Sequence, residues 1–184
     1  MMRALLHADL DAMSEGESIN GLRLLLRVLV HARWRALVMF RLAQQCMRSP
    51  MTRLLGLWLA DRVLAFSGAE LKPASTIGPG LVLKHTTGLV IGADVVAGRH
   101  LTLHQNVTLG DRHPFGGQPT LGDDVTIGAG ACVLGPITVG TGARVAANAV
   151  VLADVPPGAT VAGAPAQIVA GGAARAEPTM SLAT

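Results

Sequence analysis

An aliphatic or small residue returns every six positions along the second half of the chain, at Ile91, Ala97, Leu103, Leu109, Leu121, Ile127, Val133, Val139, Val145 and Val151. All ten share one register within the stretch from Ile77 to Leu152. A period of six fits neither the 3.6 of a helix nor the 2 of an ordinary strand. It fits coils of three short strands that turn a corner every six residues. Gly follows the aliphatic in Ile77-Gly78, Ile91-Gly92, Leu109-Gly110, Leu121-Gly122, Ile127-Gly128 and Val139-Gly140, as tight corners with unusual backbone angles require. The pattern predicts a mainly β fold, a parallel β-helix of hexapeptide repeats.

Aromatic residues make up 3% of the chain and Tyr is absent. Flat stacked rungs are filled by Val, Ile, Leu and Ala and leave little room for rings, so the low figure agrees with the repeat and excludes an aromatic stacking platform. The two cysteines, Cys46 and Cys132, stand at no metal-ligand spacing. They point to a reducing compartment and to two buried apolar positions. Met1 to Asp11 is mixed in character and the first long apolar run starts at Leu22, so no signal peptide opens the chain and a cytoplasmic location is expected.

Four segments follow from these shifts in composition. Residues 1–20 read as a flexible acidic lead with Asp9, Asp11, Glu15 and Glu17, 21–68 as a basic α-helical cap, 69–169 as the β-helix, and 170–184 as a disordered tail rich in Ala and Gly. In the cap, Leu22, Leu25, Leu26, Leu29 and Val30 share one helical face. Ser49-Pro50 interrupts the pattern before a second helical run, Met51 to Phe66, giving two or three helices. Between Gly21 and Phe66, eight arginines face one acid, Asp61, a formal +7 against +3 for the whole chain. Such helices either cover the end coil and neighbouring subunits or lie on an anionic membrane as a peripheral contact. The arginines form no nucleic-acid motif, so nucleic acid is not an expected partner. Arginines interrupt every apolar run before the ~20 residues that a membrane span needs.

From Glu70 onward the sequence resembles the serine acetyltransferase family. The residues that carry the resemblance are Glu70-Leu71-Lys72-Pro73-Ala74, Ile77-Gly78-Pro79-Gly80, His85-Thr86-Thr87-Gly88-Leu89-Val90-Ile91-Gly92, Val107-Thr108-Leu109-Gly110 with Asp111-Arg112-His113-Pro114, Gly128-Ala129-Gly130-Ala131, Leu134-Gly135, Val155-Pro156-Pro157-Gly158 and Ala162-Gly163-Ala164-Pro165-Ala166. It covers about Gly68 to Val169. It implies a left-handed parallel β-helix, a homotrimer with a dimer of trimers left open, and acetyl-CoA as co-substrate bound between neighbouring subunits. The left hand is an exception to the right-handed crossover rule and comes from the resemblance alone.

The same resemblance puts His85 at the general base and Glu70 where the family has an Asp that orients that base. Acyl transfer calls for such a pair, because a hydroxyl is a weak nucleophile until an imidazole removes its proton, and a carboxylate on the other ring nitrogen fixes the tautomer. Glu70 is one methylene longer than Asp. His113 lies in a Pro- and Gly-rich loop, Gly110 to Thr120, and is implied to assist His85, with Asp111 and Arg112 beside it in the acceptor pocket. His104 and Gln105 are read as lining the cleft of His85, or as solvent-facing corner residues. For the cofactor, the small residues Ala129, Gly130, Ala147 and Asn148 let a pantetheine arm approach the backbone, and Gln167 lies in the turn implied to meet the adenine end. The blander readings are that these positions serve corner geometry and that the loop is merely solvated. A zinc site from His100, His104 and His113 has the wrong spacing, and no metal is expected.

Lys84 stands where the family has an Asp immediately before the base, so the charge offered to a serine ammonium is inverted. The helical segment is also shorter than in long family members. Short relatives with a basic, Leu-rich start look like the O-acetyltransferases of exopolysaccharide synthesis, so the acceptor is read first as a saccharide hydroxyl and second as serine or another small hydroxyl compound. Lys84 would then bind an acidic sugar or phosphate. A non-catalytic trimeric scaffold is the third reading, and the joint presence of Glu70, His85 and the Arg112-His113 loop counts against it.

Overall fold

The structure, a computed structural model, describes residues 2–14, 17 and 21–171. Glu15 of the lead and residues 172–184 of the tail lie outside them. Among the described residues four α-helices, α1 (Met2–Met13), α2 (Gly21–Val30), α3 (Ala32–Cys46) and α4 (Arg53–Ser67), precede fifteen short strands numbered in chain order. The strands stack into three sheets. The first holds β1 (Glu70–Leu71), β4 (Val90–Ile91), β7 (Thr108–Gly110), β10 (Cys132–Leu134) and β13 (Val150–Val151). The second holds β2 (Thr76–Ile77), β5 (Val96–Ala97), β8 (Thr120–Leu121) and β11 (Thr138–Val139). In the third are β3 (Val82–Leu83), β6 (Thr102–Leu103), β9 (Thr126–Ile127), β12 (Arg144–Val145), β14 (Thr160–Gly163) and β15 (Ala166–Ala170). Every pairing but the last, β14 with β15, is parallel. The chain is the parallel β-helix that the period of six predicts.

Each sheet stacks one column of aliphatic residues into the prism: Leu71, Ile91, Leu109, Val133 and Val151 in the first, Ile77, Ala97, Leu121 and Val139 in the second, and Leu83, Leu103, Ile127, Val145 and Val161 in the third. A second buried series, Val95, Leu101, Val107, Val125, Ala131, Ile137, Ala143 and Ala149, fills the corners four residues later in each hexad. The coil is eighteen residues where Val90 pairs with Thr108 and Cys132 with Val150. It lengthens to twenty between Glu70 and Val90 and to twenty-four between Thr108 and Cys132. Two extra residues therefore lie between Leu83 and Val90, and six between Gly110 and Thr120. These two insertions carry Lys84-His85 and Asp111-Arg112-His113.

The described residues 2–14 of the lead depart from its sequence reading. Met2–Met13 is a helix, and Asp9 is wholly buried rather than solvated. Its carboxylate accepts from Arg41 Nε at 2.7 Å and Nη2 at 3.1 Å, and from the Gly80 and Leu81 N–H groups at 2.8 and 2.9 Å. Arg41, also buried, donates onward to the carbonyls of Ile77 and Gly78 at 2.7 and 2.6 Å. One ion pair thus ties α1 and α3 to the corner between β2 and β3. Its charges are tolerated inside because nearly every lone pair and N–H finds a partner.

The apolar face of α2 does not cover the end coil. Trp34, Leu37 and Phe40 of α3 and Met13 of α1 join the core there, whereas no residue of α2 is buried and Leu22 is 68% exposed. Leu54 and Trp58 of α4 are likewise exposed. Cys46 and Cys132 are free thiols and only half-buried, not core residues as their sequence reading has it. No described helix is long and apolar enough to cross a membrane.

Replacing one member of the buried pair strands the other. We expect Arg41→Met to lower unfolding free energy by about 3–5 kcal/mol, measured by urea denaturation, while Arg62→Met, whose partner Asp61 is exposed, changes it by under about 1 kcal/mol. Equal effects would refute a structural role for the Asp9–Arg41 contact.

Candidate active site

One corner of the prism, where the third sheet turns into the first, gathers most of the chemistry-bearing residues. It contains His85 between β3 and β4, His104 and Gln105 between β6 and β7, Ala129 and Gly130 between β9 and β10, and Ala147 and Asn148 between β12 and β13. Backbone hydrogen bonds lock these turns into a ladder: Asn106 N–H to the Thr87 carbonyl, Gly130 to Gln105, and Asn148 to Ala129, all at 2.8–2.9 Å. Asn106, Gly130 and Asn148 all have positive φ, 56°, 71° and 58°, a conformation that Gly and Asn tolerate best. Gly128 has a different reason, since a Cβ there would meet the Ala147 nitrogen at 2.6 Å. The column ends where β14 folds back into β15 and Gln167 pairs with Ala162. At about 4.8 Å per coil, His85 and Ala147 stand roughly 14 Å apart along one edge.

His85 is exposed at the foot of this column, and Lys84 beside it is half-buried. The pairing of Leu83 with Leu103 sets Lys84 next to His104. Burial first, then the charge of His85, then that of Lys84 hold the His104 imidazole below its ordinary 6.5. The cap reaches the same corner, for Arg33 of α3 donates to the Lys84 carbonyl at 3.4 Å. Glu70 lies on the first sheet opposite Val90. Its carboxylate meets Lys72 Nζ at 2.6 Å, and among the described residues no hydrogen bond joins it to His85.

The loop with Asp111, Arg112 and His113 leaves the coil at another corner, where the first sheet turns into the second. It stays there. Asp111 accepts from Gln118 at 2.9 Å, Gln118 accepts from the Asp94 N–H of the coil below, and Arg112 packs beside Gly135 of the coil above. A single chain therefore splits the predicted site in two, with the first sheet between the halves. The three histidines considered for zinc occupy three different corners, and His100 bonds Asp124 at 3.0 Å. Among the described residues, no group of three or more His, Cys, Asp or Glu could hold a metal. Cavities of about 360 and 270 Å³ are lined largely by the helices.

The structure brings His104 to the corner of His85, as the sequence reading has it, and adds the burial and the mutual charge effect that lower the His104 pKa. Sequence reasoning missed the buried role of Asp9, for which the sequence has no signal.

The "Bacterial transferase hexapeptide (six repeats)" model matches residues 118–153. The soybean serine acetyltransferase structure superimposes with a TM-score of 0.81 at 36% identity, over 91% of this chain and 69% of that one. This chain belongs to the serine acetyltransferase family. The Mycobacterium tuberculosis serine acetyltransferase is 41% identical over 119 residues, 64% of this chain and 52% of the relative. A serine acetyltransferase solved in complex with CoA aligns at 31% identity and a TM-score of 0.78, over 91% of this chain and 69% of that one. The chain spans about half or less of the length of the curated relatives it matches.

In this family member the electrostatics of the corner are open to titration. Because the fold disfavours protonated His104, the unfolded chain takes up that proton first, and stability should fall as pH drops below 6.5. By NMR the His104 midpoint should lie below 6.5 and move toward it in His85→Ala. A midpoint unchanged in His85→Ala would show that the two imidazoles do not interact.

Proposed function

We propose that the protein transfers the acetyl group of acetyl-CoA to the hydroxyl of serine or a closely related small hydroxyl amino acid. The observation that carries this reading is membership of the serine acetyltransferase family, whose soybean member is solved complexed with serine and another member with CoA. The corner column supports it. Neutral His85 takes the hydroxyl proton as the oxygen attacks the thioester carbonyl. The C–S bond then breaks, and the imidazolium returns its proton to the departing thiolate. Ala129, Gly130, Ala147, Asn148 and Gln167 form the track for the coenzyme. No metal enters this scheme.

The separation of His85 from Asp111, Arg112 and His113 supports a homotrimer. In a three-fold assembly the loop of one subunit can face the catalytic corner of its neighbour, so Arg112 holds the acceptor and His113 assists from across the cleft. Glu70 is then free to turn from Lys72 toward His85 when the cleft closes. The exposed faces of α2 and α4 suit further packing between subunits, and an anionic membrane is the other surface they could meet.

The sequence reading ranked a saccharide acceptor ahead of serine, and the named relatives reverse that order. One observation keeps the saccharide reading in view. Lys84 stands where the resemblance has an Asp for the serine ammonium, and a cation there would cost on the order of 1–4 kcal/mol between surface and bulk-water dielectric. With serine as acceptor, Lys84→Asp should raise kcat/KM for serine roughly tenfold. With an acidic saccharide as acceptor, the same change should weaken turnover and its salt dependence together.

The reading is tested by thiol release from acetyl-CoA with serine, homoserine and a panel of sugars. We expect turnover with serine, and in His85→Ala a loss of about 100-fold or more in kcat with CoA affinity little changed. Sugar turnover without serine turnover would replace the acceptor. A folded His85→Ala protein of full activity would remove the base.

A further inference from the structure

Among the described residues, one buried side-chain oxygen has no hydrogen-bond partner, Oε1 of Gln105. The residue's backbone is already committed, its carbonyl accepting from Gly130 N–H at 2.9 Å, so the side chain is not needed to close the coil. Its neighbours along the corner are Thr87 on the coil below and Ala129 on the coil above, and on that next coil Ala129 and Gly130 end in a methyl and a hydrogen. A buried carboxamide oxygen has two lone pairs to satisfy, and folded proteins almost always give such a group a donor from protein, water or ligand. Here the orphan atom lies in the same column as His85 and the small residues above it.

We infer that Gln105 Oε1 accepts a hydrogen bond from an amide N–H of the pantetheine arm of the bound thioester. This rests on the acetyl-transfer reading of the corner and adds a positioning contact to it. Gln105 is one coil, about 4.8 Å, above the turn that carries His85. With the thioester carbonyl at His85, the sulfur points up the column. The first amide of the arm follows after two methylenes, one coil higher. The thioester has no N–H of its own, and the adenine end lies further along, toward Gln167. Ala129 and Gly130 leave the arm close to the corner. A neutral acceptor there fixes the arm, and with it the carbonyl, without adding a charge beside Lys84, His85 and His104.

The test is calorimetric titration of CoA into the full chain and two variants, with thermal unfolding of each unliganded protein. Gln105→Leu should weaken CoA binding about tenfold, yet unfold at the same or a higher temperature, because a stranded buried acceptor has gone. Gln105→Glu keeps an acceptor oxygen and should stay within about threefold of the unaltered protein. Serine affinity in the presence of CoA should be the same in all three. Equal CoA affinity in Gln105→Leu would overturn the inference. So would a loss of serine affinity with CoA unaffected, which would give the oxygen to the acceptor's amine. If Gln105→Leu does not fold, Gln105→Met makes the same comparison. An unaltered protein that binds no CoA would overturn the acetyl-transfer reading itself, a result distinct from tight CoA binding that Gln105→Leu leaves unchanged.

Discussion

Everything in this molecule depends on strands stacking in register at the same three faces, coil after coil. Ile91 sits on Leu109 and Val133 on Val151, so each aliphatic side chain rests on its equivalent in the next coil. Non-polar burial is then a repeated contact rather than a single central cluster, and each coil depends on its neighbours. The corners bear the cost of closing the coil. A residue with positive φ recurs at Asn106, Gly130 and Asn148 along one edge, and at His100, Asp124 and Gly142 along another. Small or strained residues on these edges are dictated by the coil before any ligand is considered.

The end of such a stack is its weak point, because the first coil has no partner below. Here α3 and α1 supply the cover, and the buried Asp9–Arg41 pair fixes their seating. Arg41 donates to the carbonyls of Ile77 and Gly78, and Asp9 accepts from Gly80 and Leu81. Hydrophobic contact alone would let a helix slide on a flat rung, and hydrogen bonds to particular corner atoms set one register. The same seating brings Arg33 to Lys84, one residue from the proposed base. Stability at the cap and geometry at the proposed catalytic corner are thereby linked through α3.

The residues proposed to act lie where the period fails. The two-residue lengthening between Leu83 and Val90 carries Lys84 and His85, and the six-residue excursion between Gly110 and Thr120 carries Asp111, Arg112 and His113. A regular corner is fully used in closing its coil, and extra residues are free to project chemistry from it. Because the two insertions occur at different corners, the complete site calls for a neighbour. This gives the proposed trimer a catalytic reason in addition to the covering of exposed faces.

The sequence by itself determined the β-helix, since a six-residue recurrence of aliphatic residues has no other economical burial, and it determined the candidates Gln105, Ala129, Gly130, Ala147 and Asn148, which share a corner because they recur at the same place in the coil, whereas His85 joins them from the two-residue insertion. Stacking is local and periodic, so it can be read along the chain. The tertiary structure alone decided what periodicity does not encode. Asp9 in a segment read as flexible became a buried anchor, because its partner lies thirty-two residues away on a helix with no pattern to announce it. The apolar face of α2 turned outward while α3 took the end coil. Glu70 met Lys72, and the Arg112-His113 loop stayed at its own corner, since which side chains meet across corners is set by the turn of the prism rather than by distance along the sequence.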